Sequence, residues 1–406
     1  MPSTVATVSP QLVVRESEYQ LKNVPTVLRS GIPDYSSKFK GGASGTTVKI
    51  AKPTKVSVSD GTWDTSASPN ADREASVDLT MATTPVTVTH SFTPDQLGMN
   101  FEDFATQIQK PSMAALISKI ESKFLTNVMP KVSRFAQAAT MTSAATAALR
   151  TVLGDSLCPQ NNLKAAVRYV MNQDLQQDTE DLYNAASAIG KANLNGAVPN
   201  WAGFDIMEST VMPVQTTGTR AASTIGTTVV EGATTVLVDV GSGTETVKKG
   251  EIFYVALCED VNAISKDSLG TPKRYVVAAD ATASGGIATL TVTEAVYASS
   301  SDNRQNVTRL PTAGDTVVWV GAGSASLLQG IFFDPMFAAT AFLDFPAYNE
   351  SNAAPFTVPG TKIKGMFKRQ ENVATGITTF RWDVLMASAL VEDAFAARFL
   401  RTASTT

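Results

Sequence analysis

The stretch VVEGATTVLVDVGSG (Val229–Gly243) decides how the rest of the chain is read. Apolar residues alternate through TVLVDV, and glycines close the run at both ends, the pattern of a short half-buried strand between turns. The same texture repeats in EIFYVAL (Glu251–Leu257), RYVVAADAT (Arg274–Thr282), IATLTVTEAVY (Ile287–Tyr297) and TVVWVG (Thr316–Gly321). Five or six short β runs, separated by Gly-, Ser- and Asp-rich turns, predict a small antiparallel barrel or sandwich over 215–320. On both sides the texture changes. WAGFDIMESTVMPV (Trp201–Val214) precedes the block, GIFFDPMFAATAFLDF (Gly330–Phe345) follows it, and TFRWDVLMASALVEDAFAARFL (Thr379–Leu400) closes the chain. The flanks read as two parts of one other domain, split where an insertion leaves and returns at neighbouring points.

Upstream, TVKIAKPTKVSVSDG (Thr47–Gly61) and ASVDLTMATTPVTVTHSF (Ala75–Phe92) alternate apolar and polar residues, which predicts a long hairpin. Pro53 and Pro85 fit exposed edges. The tip between the arms carries a lone Trp63, which either contacts a neighbouring molecule or folds back on its own domain. Residues 1–40, with four prolines, read as an extended arm with one short helix near Val14–Leu21. Thr93–Pro94–Asp95 and Lys110–Pro111–Ser112 are helix starts. After the second, Met113, Leu116, Ile117, Ile120, Phe124, Leu125 and Val128 share one face of a long helix that Pro130 ends or kinks. Further helices are expected around Ala144–Leu153, Asn162–Val170 and Asp178–Lys191.

Charged residues are 17 % of the chain, below the usual share of about 25 %, as fits either a protein that buries surface against copies of itself or a β-rich globular protein that happens to be Thr-rich. The net charge of −4 is not that of a general nucleic-acid binder. It is unevenly spread: Met1–Lys55 holds eight Lys and Arg against three acids, whereas 215–320 holds eight basic and eleven acidic residues. A basic arm on an acidic protein faces a polyanion or an acidic partner, or is a solvated terminus. Cys158 and Cys258 lie far apart and form no disulfide framework or metal spacing, so two free thiols and a reducing compartment are expected. No signal peptide is evident, and Gln329, Asp334 and Pro335 interrupt the longest apolar run, which excludes a membrane span.

Residues with catalytic potential are few. His90 is the one histidine; it lies on an alternating strand with no legible orienting acid or nucleophile, so a packed or rim histidine is expected. VWVGAGSAS (Val318–Ser326) and GGASGTT (Gly41–Thr47) lack the third glycine of a dinucleotide loop and the Gly-Lys pair of a phosphate loop, and read as turns. Asp174, Asp178, Glu180 and Asp181 read as a solvated helical face, with a divalent-ion site as the minor alternative. No enzyme, cofactor or metal site is expected.

The order of these parts resembles the major capsid (coat) protein of tailed bacteriophages, the Hong Kong phage fold. It is most similar to the short-tailed phage coat proteins with an inserted β domain. The stretches that carry the resemblance are TVKIAKPTKV and ASVDLTMAT for the extended E-loop and VTVTHSFTPDQLG (Val86–Gly98) for the strand leading to helix. MAALISKIESKFLTNVM (Met113–Met129) corresponds to the spine helix, GKANLNGAVPNWAGFDIMESTVMPV (Gly190–Val214) to the chain before the insertion, and FRWDVLMASALVEDAFAARF (Phe380–Phe399) to a late strand of the axial (A) domain. The resemblance implies an α+β fold with an N-terminal arm (1–40), an E-loop hairpin with P-domain strands (41–92) and a spine helix with the rest of the P domain (93–140). A first part of the A domain (141–214), an inserted antiparallel β barrel (215–320), and an A-domain second part returning to the P domain (321–406) complete it. It further implies hexamers and pentamers closed into an icosahedral head around double-stranded DNA, assembled in the host cytoplasm and found in the virion. The implied partners are the chain itself, a scaffolding protein, a portal protein and a decoration protein, with no membrane. Intersubunit contacts are expected at Lys55, Trp63, Asp64, Arg73 and Glu74. Non-specific contact with DNA is expected at Arg15, Lys22, Lys119, Lys123, Lys131 and Arg134. An encapsulin-like nanocompartment shell and a non-viral β-rich binding protein are the alternatives.

Overall fold

The computed structural model describes residues 13–15, 27–39, 46–52, 76–93, 105–179, 198, 200–241, 243–299, 304–345, 352–358 and 362–402. They form two compact α+β units. One takes its residues from Met1–Ile50, Val77–Leu125 and Ala338–Ala389, the other from Ala51–Ser76, Thr126–Phe337 and Leu390–Thr406.

The first unit is organised by the helix Lys110–Val128, which a π-helical turn Ala105–Gln109 precedes. Pro111 sits in its first turn, where no intrahelical donor is needed, and the α-helix stops two residues before Pro130. Met113, Leu116, Ile117, Ile120, Phe124 and Leu125 are all buried, so the expected apolar stripe is the packed face. A four-stranded antiparallel sheet runs Ala353–Thr357, Lys364–Glu371, Thr378–Val384, Val86–Phe92. Phe367 fixes its core, stacked on Phe380 at 5.7 Å and tilted against the buried Trp382 at 5.1 Å. Two further strand pairs, Thr47–Ala51 with Ser76–Thr80 and Ala338–Phe342 with Met386–Leu390, complete the unit.

The return arm of the expected hairpin is therefore two strands. Ser76–Thr80 pairs with Thr47–Ala51, but Val86–Phe92 pairs with Thr378–Val384 from the far end of the chain. The Thr-Thr-Pro stretch before Val86 breaks the ladder, because proline supplies no amide to it. The short arm helix is described only at residues 13–15; the hairpin tip and the helix start at Thr93–Pro94–Asp95 lie, wholly or past Thr93, outside the described residues.

The second unit contains a mixed sheet. Its strands run Phe135–Ala138, Ala396–Arg401, Ser326–Phe333, Lys164–Val167, Phe204–Glu208, Asn200–Trp201, and Val214–Thr216 joins the first half of Ser326–Phe333. Phe135–Ala138 with Ala396–Arg401, and Lys164–Val167 with Phe204–Glu208, are parallel pairs; the others are antiparallel. The helices Ser143–Asp155 and Tyr169–Thr179 contribute Leu149, Leu153, Met171 and Leu175 to a core shared with Phe204, Phe332 and Phe399. Phe204 meets Phe332 edge-on at 5.0 Å.

Two sequence expectations fail here. The helix expected at Asn162–Val170 is the strand Lys164–Val167; Ala165, Ala166 and Val167 are wholly buried inside the sheet, which removes the alternation that marks a strand. Helix begins only at Tyr169, and the one expected over Asp178–Lys191 falls almost entirely outside the described residues. The stretch Phe380–Phe399, expected as one strand of one domain, spans three strands in three different sheets, parted by Leu385 and by the 3₁₀ turn Asp393–Phe395. Only Ala396–Arg401 enters the mixed sheet.

Six strands of the same unit form a second sheet, ordered Ser268–Val276, Ile252–Val261, Thr316–Trp319, Ser223–Ile225, Thr235–Asp239, Ile287–Thr291 and antiparallel throughout. Its ends meet. Val277 bridges Val292, the Ala278 amide donates to Thr291 O at 2.7 Å, and the Thr293 amide to Val276 O at 3.1 Å. The sheet is a closed barrel, which leaves no unpaired edge. Val236, Val238, Phe253, Val255, Cys258, Tyr275, Leu290 and Val317 fill it.

Candidate functional site: the neck of the barrel and the basic residues

The chain leaves the mixed sheet for the barrel, and returns, through one paired ribbon. Val214, Gln215 and Thr216 stand opposite Leu328, Leu327 and Ser326. Beyond them the Thr217 amide donates to Ala325 O at 2.9 Å, the Ala325 amide to Thr217 Oγ1 at 2.8 Å, and the Ser324 amide to Gly218 O at 2.8 Å. A β-branched, hydroxyl-bearing residue suits this point, because Thr217 Oγ1 also donates to Ala322 O at 2.8 Å.

Above the ribbon lies a buried ion pair. Arg220 and Glu251 expose 3 % and 0 % of their side chains, and Arg220 Nε donates to Glu251 Oε2. Glu251 Oε1 also accepts the amides of Gly218 at 2.7 Å and Lys248 at 2.6 Å. Arg220 Nη2 donates to Val320 O at 3.1 Å, and its guanidinium lies 4.4 Å from the Trp319 ring centroid. The carboxylate thus ties the outgoing chain at Gly218, the returning chain at Val320 (through Arg220) and the turn at Lys248. A buried pair holds its place only when its remaining hydrogen-bonding capacity is met, as it is here.

Below the ribbon, Ile252, Val276, Val320, Leu327 and Leu400 form a small apolar cluster, with Phe135 packed on it. Within this region Arg398 is wholly buried; its Nη2 donates to Gly250 O at 2.9 Å and its Nη1 to Gln329 Oε1 at 3.3 Å. Burial pushes its guanidinium down to about 10, against the opposing pull of Asp393. Gly250 has φ +84°, and a Cβ there would lie 2.9 Å from Pro130 Cβ, so both backbone conformation and space require glycine.

Sequence reasoning missed Arg220, Glu251 and Arg398. The available signal was a charge set in an apolar run: Glu251 opening EIFYV, and Arg398 between Ala397 and Phe399.

Lys55, Trp63, Asp64, Arg73 and Glu74 lie outside the described residues, as does Lys22. Arg15 and Lys119 are exposed, while Lys123 is half-buried with its Nζ 3.5 Å from Thr84 O. Lys119 and Lys123 are one turn apart on the long helix. Lys131 is half-buried, and burial together with the charge of Lys249 lowers its pKa. Arg134 is engaged within its own unit: it pairs with Asp393 at 2.9 Å and bonds Ser156 Oγ, and Asp393 also accepts the Ser133 amide at 2.8 Å.

His90 is half-buried, with Nε2 2.6 Å from Ser112 Oγ and its ring edge-on to Trp382 at 6.4 Å. Ser112 Oγ donates to Ile108 O, so it accepts from the imidazole, and its proton is not offered to a base. Both cysteines are free and buried; burial is the main cause that pushes Cys158 up to about 12 and Cys258 up to about 11. Neither is poised as a nucleophile.

One member of the acidic run departs from the expected solvated face, whereas Asp178 is exposed as expected. Asp174 is nearly buried, taking Arg401 Nε at 2.7 Å and the Met141 amide at 3.2 Å. Asp178 accepts the Ser143 amide at 2.6 Å at the start of helix Ser143–Asp155, and hydrogen bonding from the Ser143 hydroxyl first, then from this amide, lowers its pKa. Glu180 and Asp181 lie outside the described residues. Among the described residues no group of three His, Cys, Asp or Glu is placed to hold a metal ion, and no helix is long and apolar enough to cross a membrane.

No family model matches the chain, and no curated protein matches its sequence. Among solved structures, the capsid of cyanophage P-SCSP1u is similar with 11 % identity over 89 % of this chain and 85 % of that one, at TM-score 0.46. Mycobacterium phage Che8 gives 11 % identity over 94 % and 93 %, at 0.45. The capsid of Ralstonia phage GP4 gives 6 % over 93 % and 91 %, at 0.46. Likeness at this level carries no functional argument by itself.

Proposed function

We propose that the chain is the major capsid protein of a tailed bacteriophage, with the Hong Kong phage-type fold. In this reading it assembles into hexamers and pentamers that form the icosahedral head shell around double-stranded DNA. The observation that carries the reading is the order of parts along the chain. An extended strand pair, Thr47–Ala51 with Ser76–Thr80, comes first, then the long helix Lys110–Val128, then a mixed sheet interrupted by a closed barrel. Such a chain builds function from surfaces. Identical subunits bury area around local symmetry axes, and many modest contacts act together.

The barrel is read as an insertion within the A domain, and Lys55, Trp63, Asp64, Arg73 and Glu74 as contacts between subunits. Arg15, Lys22, Lys119, Lys123 and Lys131 are read as facing the packaged DNA through non-specific charge. Arg134, paired with Asp393, is left out of that set. A scaffolding protein, a portal and a decoration protein are the expected assembly partners, and the virion the expected location.

The test is size-exclusion chromatography with negative-stain microscopy of the chain expressed alone and with its neighbouring genes. Closed or partial shells of uniform curvature are expected; a monodisperse monomer under both conditions refutes the reading. Removing residues 61–74 is expected to leave a folded subunit that forms weaker shells, and equally stable shells would refute the hairpin's role.

A further inference from the structure

Three cations, Lys131, Lys249 and Arg398, flank the point where the turn at Gly250 meets the segment Pro130–Lys131. Pro130 Cα would lie 3.2 Å from a Cβ at Gly250, and Arg398 Nη2 holds the carbonyl of the same residue. Lys131 follows Pro130, Lys249 precedes Gly250, and the two ammonium groups oppose each other's charge. The carboxylates of this region are already engaged: Asp393 holds Arg134 at 2.9 Å, and Asp280 holds Lys248 at 3.2 Å and accepts the Lys249 amide at 2.7 Å. Among the described residues no carboxylate oxygen lies within 4.0 Å of the charged groups of Lys131, Lys249 or Arg398. Arg398 Nε, in a side chain with no exposure, has no hydrogen-bond partner. A buried guanidinium whose only opposing carboxylate, Asp393, lies beyond ion-pair distance is costly, and its field is screened little by solvent.

We infer that Lys131 and Lys249, backed by the buried Arg398, form a seat for a phosphate group. The two ammonium groups contact the oxyanion, as compact point charges suited to phosphate. Arg398 does not touch it; its charge raises the potential at the seat from behind. An anion there relieves the repulsion between the lysines and adds to the partial compensation that Asp393 gives Arg398 and Asp280 gives Lys249. The group is either free phosphate or the phosphodiester of a nucleic-acid backbone, which share this chemistry. The inference does not depend on shell formation, because it concerns residues of one compact unit.

The experiment is a ³¹P NMR titration of inorganic phosphate with the full chain, at ionic strength held constant with chloride. Saturable line broadening is expected, and Lys131→Met/Lys249→Met is expected to weaken binding at least ~tenfold, equivalent to about 1.4 kcal/mol. Both lysines are solvent-accessible, so this variant should keep the fold; Arg398→Met tests the backing charge and is expected to weaken binding in the same direction. A short oligonucleotide that displaces phosphate from the wild type but does not bind the double variant assigns the phosphodiester. Failure to displace it assigns free phosphate. No broadening beyond that of the double variant, or equal affinity in the two, overturns the inference.

Discussion

Glu251→Gln is expected to open the neck. The substitution keeps the shape of the side chain but removes the charge facing Arg220, in a site where the two side chains expose 0 % and 3 %. Breaking one partner of a buried pair costs about 3–5 kcal/mol, because the other charge stays buried. Two amides are also at stake. Gly218 and Lys248 both donate to Oε1, which Gln retains as an acceptor, so they add little. Arg220 keeps Val320 O and the Trp319 ring, which offset part of the loss. The net expectation is about 4 kcal/mol. The assay is denaturant unfolding of the full chain in a double-mutant cycle with Arg220→Met, where a coupling energy of roughly 2–3 kcal/mol is expected. Hydrogen exchange at the Gly218 and Lys248 amides supplies the local readout and should accelerate by more than tenfold. A loss below about 1 kcal/mol, with coupling near zero, would show that the pair is not what holds the ribbon together.

Other expectations follow from single contacts. Cys158 and Cys258, with thiols pushed up to about 12 and about 11, should resist a thiol reagent at mildly alkaline pH in the native chain and label fully in denaturant; rapid native labelling would contradict their burial. Burial lowers the His90 pKa below the ordinary histidine value of about 6.5, so the neutral ring is favoured in the folded state. Its contribution to stability is full above that value and is lost as pH falls through the lowered one. The unfolding midpoint should therefore drop on acidification by more in the wild type than in His90→Gln, and equal drops would refute the assignment. Asp174→Asn should destabilise by about 3 kcal/mol in the same unfolding assay, since it removes the carboxylate charge facing Arg401 in a nearly buried site; a loss under about 0.5 kcal/mol would mark the pair as solvated.

What was legible in the sequence was periodic. The helix Lys110–Val128 announced itself because seven apolar residues fall on one face, and the barrel strands because alternation and Gly-rich turns recur. What failed was where burial is two-sided or local pairing is overridden. Ala165–Val167 carries no alternation once both faces are covered, and Val86–Phe92 looks like the continuation of a hairpin until a partner from Thr378–Val384 takes it. Charge was misjudged for a related reason. Asp174 reads as solvated because its partner Arg401 is remote in sequence, and no spacing rule reaches that far. The neck was invisible for the same cause: Gly218, Lys248, Glu251 and Val320 meet only after the barrel has closed.

That dependence implies an order of folding. The strand Ser326–Phe333 pairs with Lys164–Val167, Val214–Thr216 and Ala396–Arg401, so the mixed sheet cannot be completed until the chain has returned from the barrel. The stretch between Thr217 and Ala325 is a long loop if unfolded and a short ribbon if the barrel is closed. Loop-closure entropy grows only with the logarithm of length, yet an effective shortening of roughly twenty-fold lowers the closure term by about 3 kcal/mol. The barrel, whose contacts are nearer in sequence, is expected to form first and to bring Ser326 beside Thr216. Pulse-labelling hydrogen exchange during refolding tests this. Barrel amides such as Val240 and Gly250, bonded to Gly286 O and Val277 O, should gain protection before the sheet amides Asp205, Ser209 and Arg398. Simultaneous protection, or earlier protection of the sheet, would mean that the mixed sheet closes across an open loop and that the neck forms last.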